Sequence, residues 1–197
     1  MHINAFTNNR YIPVCFIYQP QTLLKDGNIM NKSTLRFITR TAILTALTIG
    51  FQYMGFPQMV TGPAVNMFLL MAVSLVNVFS GIVVGIITPI MGFQIGILKA
   101  PMAPMIPWVI AGNAAYCILF AVILYFFKSK NNVITKTISA VPAAFAKFSI
   151  LSLGVRVIAT LPDAMAKMMQ GTQLVTALIG GVLAAILSEL LKKTKIA

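Results

Sequence analysis

The chain has 197 residues, of which 58% are hydrophobic and only 9% are charged, and its mean hydropathy is +0.89. A soluble domain carries roughly a quarter charged residues, so this composition excludes a water-soluble globule and indicates a protein embedded in a lipid bilayer. The 15 Lys and Arg residues against 3 Asp and Glu residues give a net charge of +12. No basic stripe interleaved with aromatic residues is present, so the excess is interpreted through membrane topology and not as nucleic-acid binding.

The first 29 residues differ from the rest of the chain. The apolar patch from Tyr11 to Tyr18 is too short to span a bilayer, contains Pro13, and lacks the features of a signal peptide. We therefore predict that Met30 is the true start, that residues 1–29 are a leader that is either disordered or never translated, and that residues 30–197 form one membrane domain.

Six apolar runs follow in chain order. Each has about the length that a transmembrane helix requires. They predict an all-α integral membrane protein, a bundle of six transmembrane helices at residues 37–55, 63–79, 81–98, 105–127, 138–161 and 174–191.

The distribution of basic residues predicts the orientation of this bundle. With both termini inside, nine Lys and Arg residues after the leader lie in the inner tails and loops or at the inner helix ends, and only Lys99 and Lys167 lie in outer connections. Positive charge accumulates on the cytoplasmic side. The sequence thus predicts an N-in, C-in topology.

The predicted connections on the two sides differ in composition. The outer segments 56–63 and 99–107 are rich in proline, which predicts stiff, non-helical turns. The inner turn is predicted near Ser80 and Gly81 and carries no charge. This contrast favours solute recognition on the outer face.

Sequence signatures of common enzymes are missing. The single histidine is His2, and the acids Asp26, Asp163 and Glu189 form no pair on one helix face. The sequence contains no G-x-x-x-x-G-K-[ST] motif for binding ATP. We predict no enzymatic activity, no metal site and no cofactor.

Two cations lie within the fifth predicted span. A Lys or Arg at the bilayer centre is costly and normally faces a protein interior or a wet cavity. Lys147 is near mid-depth, and Arg156, nine residues later, points the opposite way on a straight helix. The side-chain carbonyl of Asn113 could accept a hydrogen bond from Lys147; otherwise the partner of Lys147 is an anionic or carboxylate-bearing solute.

Glu189 is predicted to pair with Lys193, four residues later.

Several other side chains have two interpretations. Trp108 is either an interfacial anchor or a stacking wall for a ligand. Ala42, Ala46 and Gly50 recur every four residues and form a smooth ridge, which suits helix packing within the chain or against a partner. Neutral polar residues in or beside the spans each need a hydrogen-bond partner; they include Gln52, Asn66, Gln94 and Tyr116.

Four short motifs carry a resemblance to a known family. They are RTAILTA at 40–46, TGPAVN at 61–66, APMIP at 103–107 and GNA at 112–114, in this order within six spans. From Met30 onward the chain resembles the substrate-binding S component of energy-coupling factor (ECF) transporters.

The resemblance implies a function that composition does not. S components are multi-pass proteins of the prokaryotic cell membrane that bind a vitamin-like micronutrient from outside. They then associate with a transmembrane T protein and two ATP-binding-cassette ATPase subunits, and the alanine motif, here Ala42 and Ala46 with Gly50 on the same ridge, meets the T protein. The family pocket is formed by outer loops and later helices, which makes candidates of Lys99, Trp108, Asn113, Lys147 and Arg156.

Two alternatives from other classes are a membrane assembly or scaffold protein and an intramembrane enzyme. A lysine at mid-depth argues against a purely structural role, and the lack of paired acids argues against an enzyme. A channel has little support, because no polar stripe along a helix is visible.

Overall fold

The computed structural model describes residues 32–127, 132–158 and 162–194. The predicted leader and the start at Met30 lie outside these residues, as do Lys128 and Lys130 of the predicted inner loop. Nearly all of the described residues are helical, and none of them forms a strand.

The described part of the chain contains seven α-helices. A 3-10 turn at Ala100–Met105 leads into the fourth helix, and a π-helical segment at Met168–Thr172 joins the last two into one continuous helix, Asp163–Lys193. The helices are α1 (Lys32–Tyr53), α2 (Gln58–Leu75), α3 (Val78–Gln94), α4 (Ile106–Phe126), α5 (Val133–Val157), α6 (Asp163–Lys167) and α7 (Gln173–Lys193).

Four helical stretches in the described residues are long and apolar enough to cross a membrane. They are Gln58–Leu75, Ala100–Phe126, Val133–Val157 and Asp163–Lys193. Large apolar side chains are exposed on the outside of the bundle, among them Leu47, Phe145 and Ile179. Exposed apolar surface of this extent suits lipid and not water. The chain is therefore an all-helical, membrane-embedded protein.

The remaining two long helices are less typical of spans. α3 has 17 residues and is apolar, and α1 has 22 residues but carries Lys32, Arg36 and Arg40 in its first nine. α1 packs against α2 and α3, whereas α2, α4, α5 and α7 make the most extensive contacts of the bundle.

Close helix packing depends on glycine at particular crossings. A Cβ atom added to Gly180 on α7 would lie 2.6 Å from the Asn66 Cβ and 2.6 Å from the Pro63 carbonyl oxygen on α2. A Cβ atom on Gly154 of α5 would lie 2.6 Å from the Trp108 ring on α4. These crossings have no room for a larger residue, which is how small residues allow helices to associate in lipid.

Three predicted turns are largely helical in the structure. Ser80 and Gly81 are inside α3, because Asn77 accepts a hydrogen bond from the Ser80 amide (2.8 Å) and starts the helix earlier. The predicted non-helical segment 56–63 is mostly helical, since α2 begins at Gln58 and includes Pro63. Pro63 is the sixth residue of α2 and removes the backbone hydrogen bond to the carbonyl of residue 59, a loss that helices within membrane bundles tolerate. The segment 99–107 contains the 3-10 turn and then the start of α4, so it too was wrongly predicted to be non-helical.

Candidate functional site

A small cavity lies near the end of the bundle at which α1 ends and α2 begins. We call this the cavity end, and the end at which α2 ends and α3 begins the opposite end. The cavity measures about 60 Å³, enough for a few water molecules. Fifteen of the described residues line it, and eight of these are polar or charged, which is unusual for the interior of a helical membrane protein. The polar lining is Gln52, Gln58, Thr61, Asn66, Thr88, Asn113, Lys147 and Gln173.

Lys147 is the charged residue of this lining. It lies near the middle of α5, with 3% of its surface exposed, and its Nζ donates a hydrogen bond to Asn66 Oδ1 on α2 (2.6 Å). The ammonium also lies 5.5 Å from the centre of the Tyr116 ring on α4, within the range of a cation–π contact. Burial of an ammonium is costly without compensation, and the described residues provide one oxygen acceptor and one ring but no carboxylate.

Asn66 is held by a network between α2 and α7. Its Nδ2 donates to the Gly62 carbonyl (3.0 Å) and to Thr176 Oγ1 (3.4 Å), and Thr176 in turn donates to the Gln173 carbonyl (3.1 Å). Both amide protons are thereby directed away from Lys147. The Asn66 oxygen is left to face the ammonium, so α2, α5 and α7 together form one wall of the cavity, which we call the ammonium wall.

The other wall is formed by α1, α3 and α4, and we call it the acceptor wall. Asn113 Nδ2 donates to the Gly85 carbonyl (2.9 Å), and Gln52 Nε2 donates to the Thr88 carbonyl (3.4 Å). The side-chain oxygens of Gln52, Thr88 and Asn113 are buried and have no hydrogen-bond partner among the described residues. Buried polar atoms are nearly always partnered by protein groups or ordered water, so three such oxygens around one cavity require polar partners inside it, which water or a polar ligand can supply.

The predicted site residues fall into two groups. Asn113 and Lys147 line the cavity, on opposite walls, and Asn113 does not contact Lys147 through a hydrogen bond. Lys99 and Arg156 are exposed, and Trp108 is half-buried against Gly154; none of the three is among the lining residues. The burial of Lys147 and the exposure of Arg156 agree with their predicted opposite directions on α5.

Sequence reasoning missed several residues of the cavity. Gln52 and Asn66 stood out as polar residues within apolar spans, but nothing local linked them to Lys147. Thr61, Thr88 and Thr176 gave no signal, because a threonine in a membrane helix usually bonds to its own backbone. Thr48 does so, donating to the Leu44 carbonyl (2.6 Å).

A methionine-rich apolar cluster lies at the cavity end. Met102 and Met105 of the 3-10 turn pack with Met169 of the π segment and with Leu151 on α5, all nearly fully buried. Met169 and the neighbouring Gln173 line the cavity directly. Thioether side chains repack easily, and π segments often occur at functional sites.

A second buried lysine lies toward the opposite end. Lys136 on α5 is 1% exposed, and its Nζ donates to Ser188 (2.7 Å) and pairs with Glu189 (2.5 Å) on α7. Glu189 also lies 3.5 Å from Lys192. The predicted pairing of Glu189 with Lys193 is therefore wrong, because α5 brings a buried cation to the carboxylate and the exposed Lys193 stays outside this network.

The small-residue ridge of α1 faces away from the bundle. Ala42, Ala46 and Gly50 are exposed, and a Cβ atom added to Gly50 would meet no other atom within 4 Å. A different face of α1 packs inward, where Thr41 donates a hydrogen bond to Ser80 on α3 (2.8 Å). The ridge thus does not serve packing within the described part of this chain.

No family model, curated protein or solved structure matches this chain.

Proposed function

We propose that this chain is the substrate-binding S component of an ECF-type importer in a prokaryotic cell membrane. In this proposal it has six spans with both termini inside, and it captures a vitamin-like micronutrient from outside. The observation that carries the proposal is the cavity, in which a buried ammonium and three unpartnered oxygens face one another beneath turns at one end of the bundle.

The six-span topology uses α1 and α3 as spans. The 22 residues of α1 correspond to about 33 Å and the 17 residues of α3 to about 26 Å, close to the roughly 30 Å of the hydrocarbon core. Arg36 and Arg40 lie in the first turns of α1 and reach the interface by extending along the helix. In this topology the cavity end faces outward.

Capture of a micronutrient requires movement at the cavity end. Pockets for small-molecule ligands usually measure about 300–1,000 Å³, well above the volume of this cavity. The π segment lines the cavity through Met169, and the 3-10 turn packs against that methionine, so displacement of these two segments would enlarge the cavity. Rearrangement of flexible methionine side chains costs less than rearrangement of branched ones.

Transport also requires partners, and two features fit them. The exposed ridge of Ala42, Ala46 and Gly50 offers a close-packing surface to another membrane helix. The sequence has no ATP-binding motif of its own, so partner ATPase subunits would supply the energy. A scaffold protein has no need of unpartnered polar atoms around a buried lysine, which favours the transport function.

The partner assignment is tested with Ala46→Leu. We expect the bulkier side chain to prevent close approach, so that the tagged variant, purified from native membranes, loses a transmembrane protein and two ATPases that accompany the natural chain. The proteins are identified by mass spectrometry, and the ATPases by their G-x-x-x-x-G-K-[ST] motif.

The matched control is Ala111→Leu, which enlarges an exposed alanine on α4. This variant should retain all three partners, and both variants should retain the solute. If Ala46→Leu assembles as well as Ala111→Leu, the ridge is not the interface. If the natural chain brings down no ATPase at all, the proposed transport function is wrong.

A further inference from the structure

The unpartnered oxygens of the cavity are concentrated in one place. The described residues contain five buried side-chain polar atoms without a hydrogen-bond partner, and three of them, on Gln52, Thr88 and Asn113, line the cavity. Each of these side chains is at least nine-tenths buried. A chance distribution of packing defects would not gather them on the acceptor wall.

The amide groups of the acceptor wall are oriented by their own hydrogen bonds. Since Asn113 Nδ2 and Gln52 Nε2 both donate to carbonyls of α3, the Asn113 Oδ1 and Gln52 Oε1 atoms are the free ends. An amide oxygen only accepts hydrogen bonds. The complementary ligand group on this side is therefore an N–H or O–H donor.

The ammonium wall requires the opposite chemistry. Lys147 has three N–H donors, and Asn66 accepts one of them. Among the described residues that line the cavity, no other side chain is charged. One uncompensated positive charge matches one carboxylate better than a phosphate, which carries up to two negative charges and usually binds several cationic or amide donors.

We propose that the ligand of this cavity is a small monocarboxylate that carries an N–H or O–H donor at its far end. Its carboxylate accepts hydrogen bonds from Lys147, and its donor bonds to the oxygens of Asn113 and Gln52. This inference rests on the proposed function in one respect only, that the cavity is the solute-binding site.

Three matched probes test separately how the two ends of such a ligand contribute to binding. They are 4-aminobenzoate, with a carboxylate and an amine across a rigid ring; benzoate, without the donor; and methyl 4-aminobenzoate, without the charge. Affinities for the full chain, purified in detergent, are measured by calorimetric titration and by the shift in melting temperature. We expect benzoate to bind about 3–10-fold more weakly than 4-aminobenzoate, and the ester about 10–100-fold more weakly.

Amino-acid substitutions in each wall test which wall is responsible for each binding preference. Lys147→Met should reduce the preference for the acid over the ester to about 1, and Asn113→Leu should do the same for the preference for 4-aminobenzoate over benzoate. Gln52→Met tests the acceptor wall independently, because Gln52 makes only one long hydrogen bond (3.4 Å). Ser152→Ala is the control: its hydroxyl is also buried and unpartnered but does not line the cavity, so both preferences should persist.

The outcomes are distinct from those for the proposed function. Three results would overturn the ligand class, even if the chain assembles with its transport partners. They are equal affinities for the three probes, no binding of any probe, and preferences that survive both Lys147→Met and Gln52→Met. The ligand class is supported if the natural chain shows both preferences and the variants of each wall lose the preference assigned to that wall. This holds even if no ATPase accompanies the chain.

Discussion

At the scale of single residues, the most consequential contact is the one between Lys147 and Asn66. The ammonium is buried in a membrane-embedded bundle, and its stability depends on the acceptor that α2 holds in place. A hydrogen bond to a charged group contributes about 1.5–3 kcal/mol, and a buried charge that loses its partner is more costly than a neutral group. The two side chains should therefore be energetically coupled.

This coupling is tested by a double-mutant cycle. Asn66→Leu should lower the free energy of unfolding by about 2–4 kcal/mol, because it leaves the ammonium without its acceptor. Adding Lys147→Met to that variant should restore part of the loss, giving a coupling energy of about 1–3 kcal/mol in unfolding experiments in detergent. Lys99→Met, which alters an exposed lysine, is the control. Additive effects of the two substitutions would contradict the contact.

At the scale of helices, the cavity depends on the close approach of α2 and α7. Gly180 lies against the Asn66 Cβ and the Pro63 backbone, and Gly62 lies against Thr176, where an added Cβ would be 2.8 Å from the methyl carbon. The same crossing thus positions the Asn66 amide, whose protons bond to Gly62 and Thr176. The same helix crossing therefore provides the packing of α2 against α7 and holds Asn66 of the ammonium wall in position.

Gly180→Ala tests this dependence. The new methyl group would meet backbone atoms, which cannot rotate away, so the helices must separate, and we expect a loss of about 1–3 kcal/mol in unfolding free energy. Affinity for the proposed ligand should fall as well, because Asn66 moves with α2. Gly50→Ala provides the comparison, since its Cβ meets nothing and alanine favours the helix. Equal stability of the two variants would show that the crossing tolerates a larger residue.

At the scale of the whole molecule, the two ends of the bundle differ in charge and polarity. The cavity lies at one end, whereas Arg36, Arg40 and the Lys136–Glu189 pair lie toward the opposite end. The proposed topology places this opposite end on the cytoplasmic side, where positive charge accumulates. α3 links the two ends, with Asn77 exposed before it and Lys99 exposed after it.

Cysteine labelling tests this topology at α3. In a chain with Cys15 replaced by serine, an impermeant maleimide should label Lys99→Cys in intact cells and Asn77→Cys only after permeabilisation. Cys117 is buried and serves as the unreactive background. Labelling of both positions from the same side would contradict α3 as a span, and the reversed pattern would contradict the inward orientation of the termini.

The sequence by itself determined the membrane-embedded, all-helical character of this protein and most of the helix positions, because hydropathy and helix propensity are properties of neighbouring residues. It also singled out Lys147, since a cation in an apolar run is conspicuous without knowledge of its surroundings. Helix ends were less well determined: Pro63 marked a predicted loop, but α2 continues through it, as membrane helices can when one backbone hydrogen bond is lost to proline.

Only the tertiary structure decided which residues meet. Asn66 reaches Lys147 across 81 positions and Thr176 across 110, and Lys136, not Lys193, pairs with Glu189 across 53. Such contacts depend on how each helix is rotated about its axis and on which helices cross, and glycines at the crossings permit the close approach. No local pattern encodes these quantities, so the acceptor wall of Gln52, Thr88 and Asn113 emerged only when the helices were packed together.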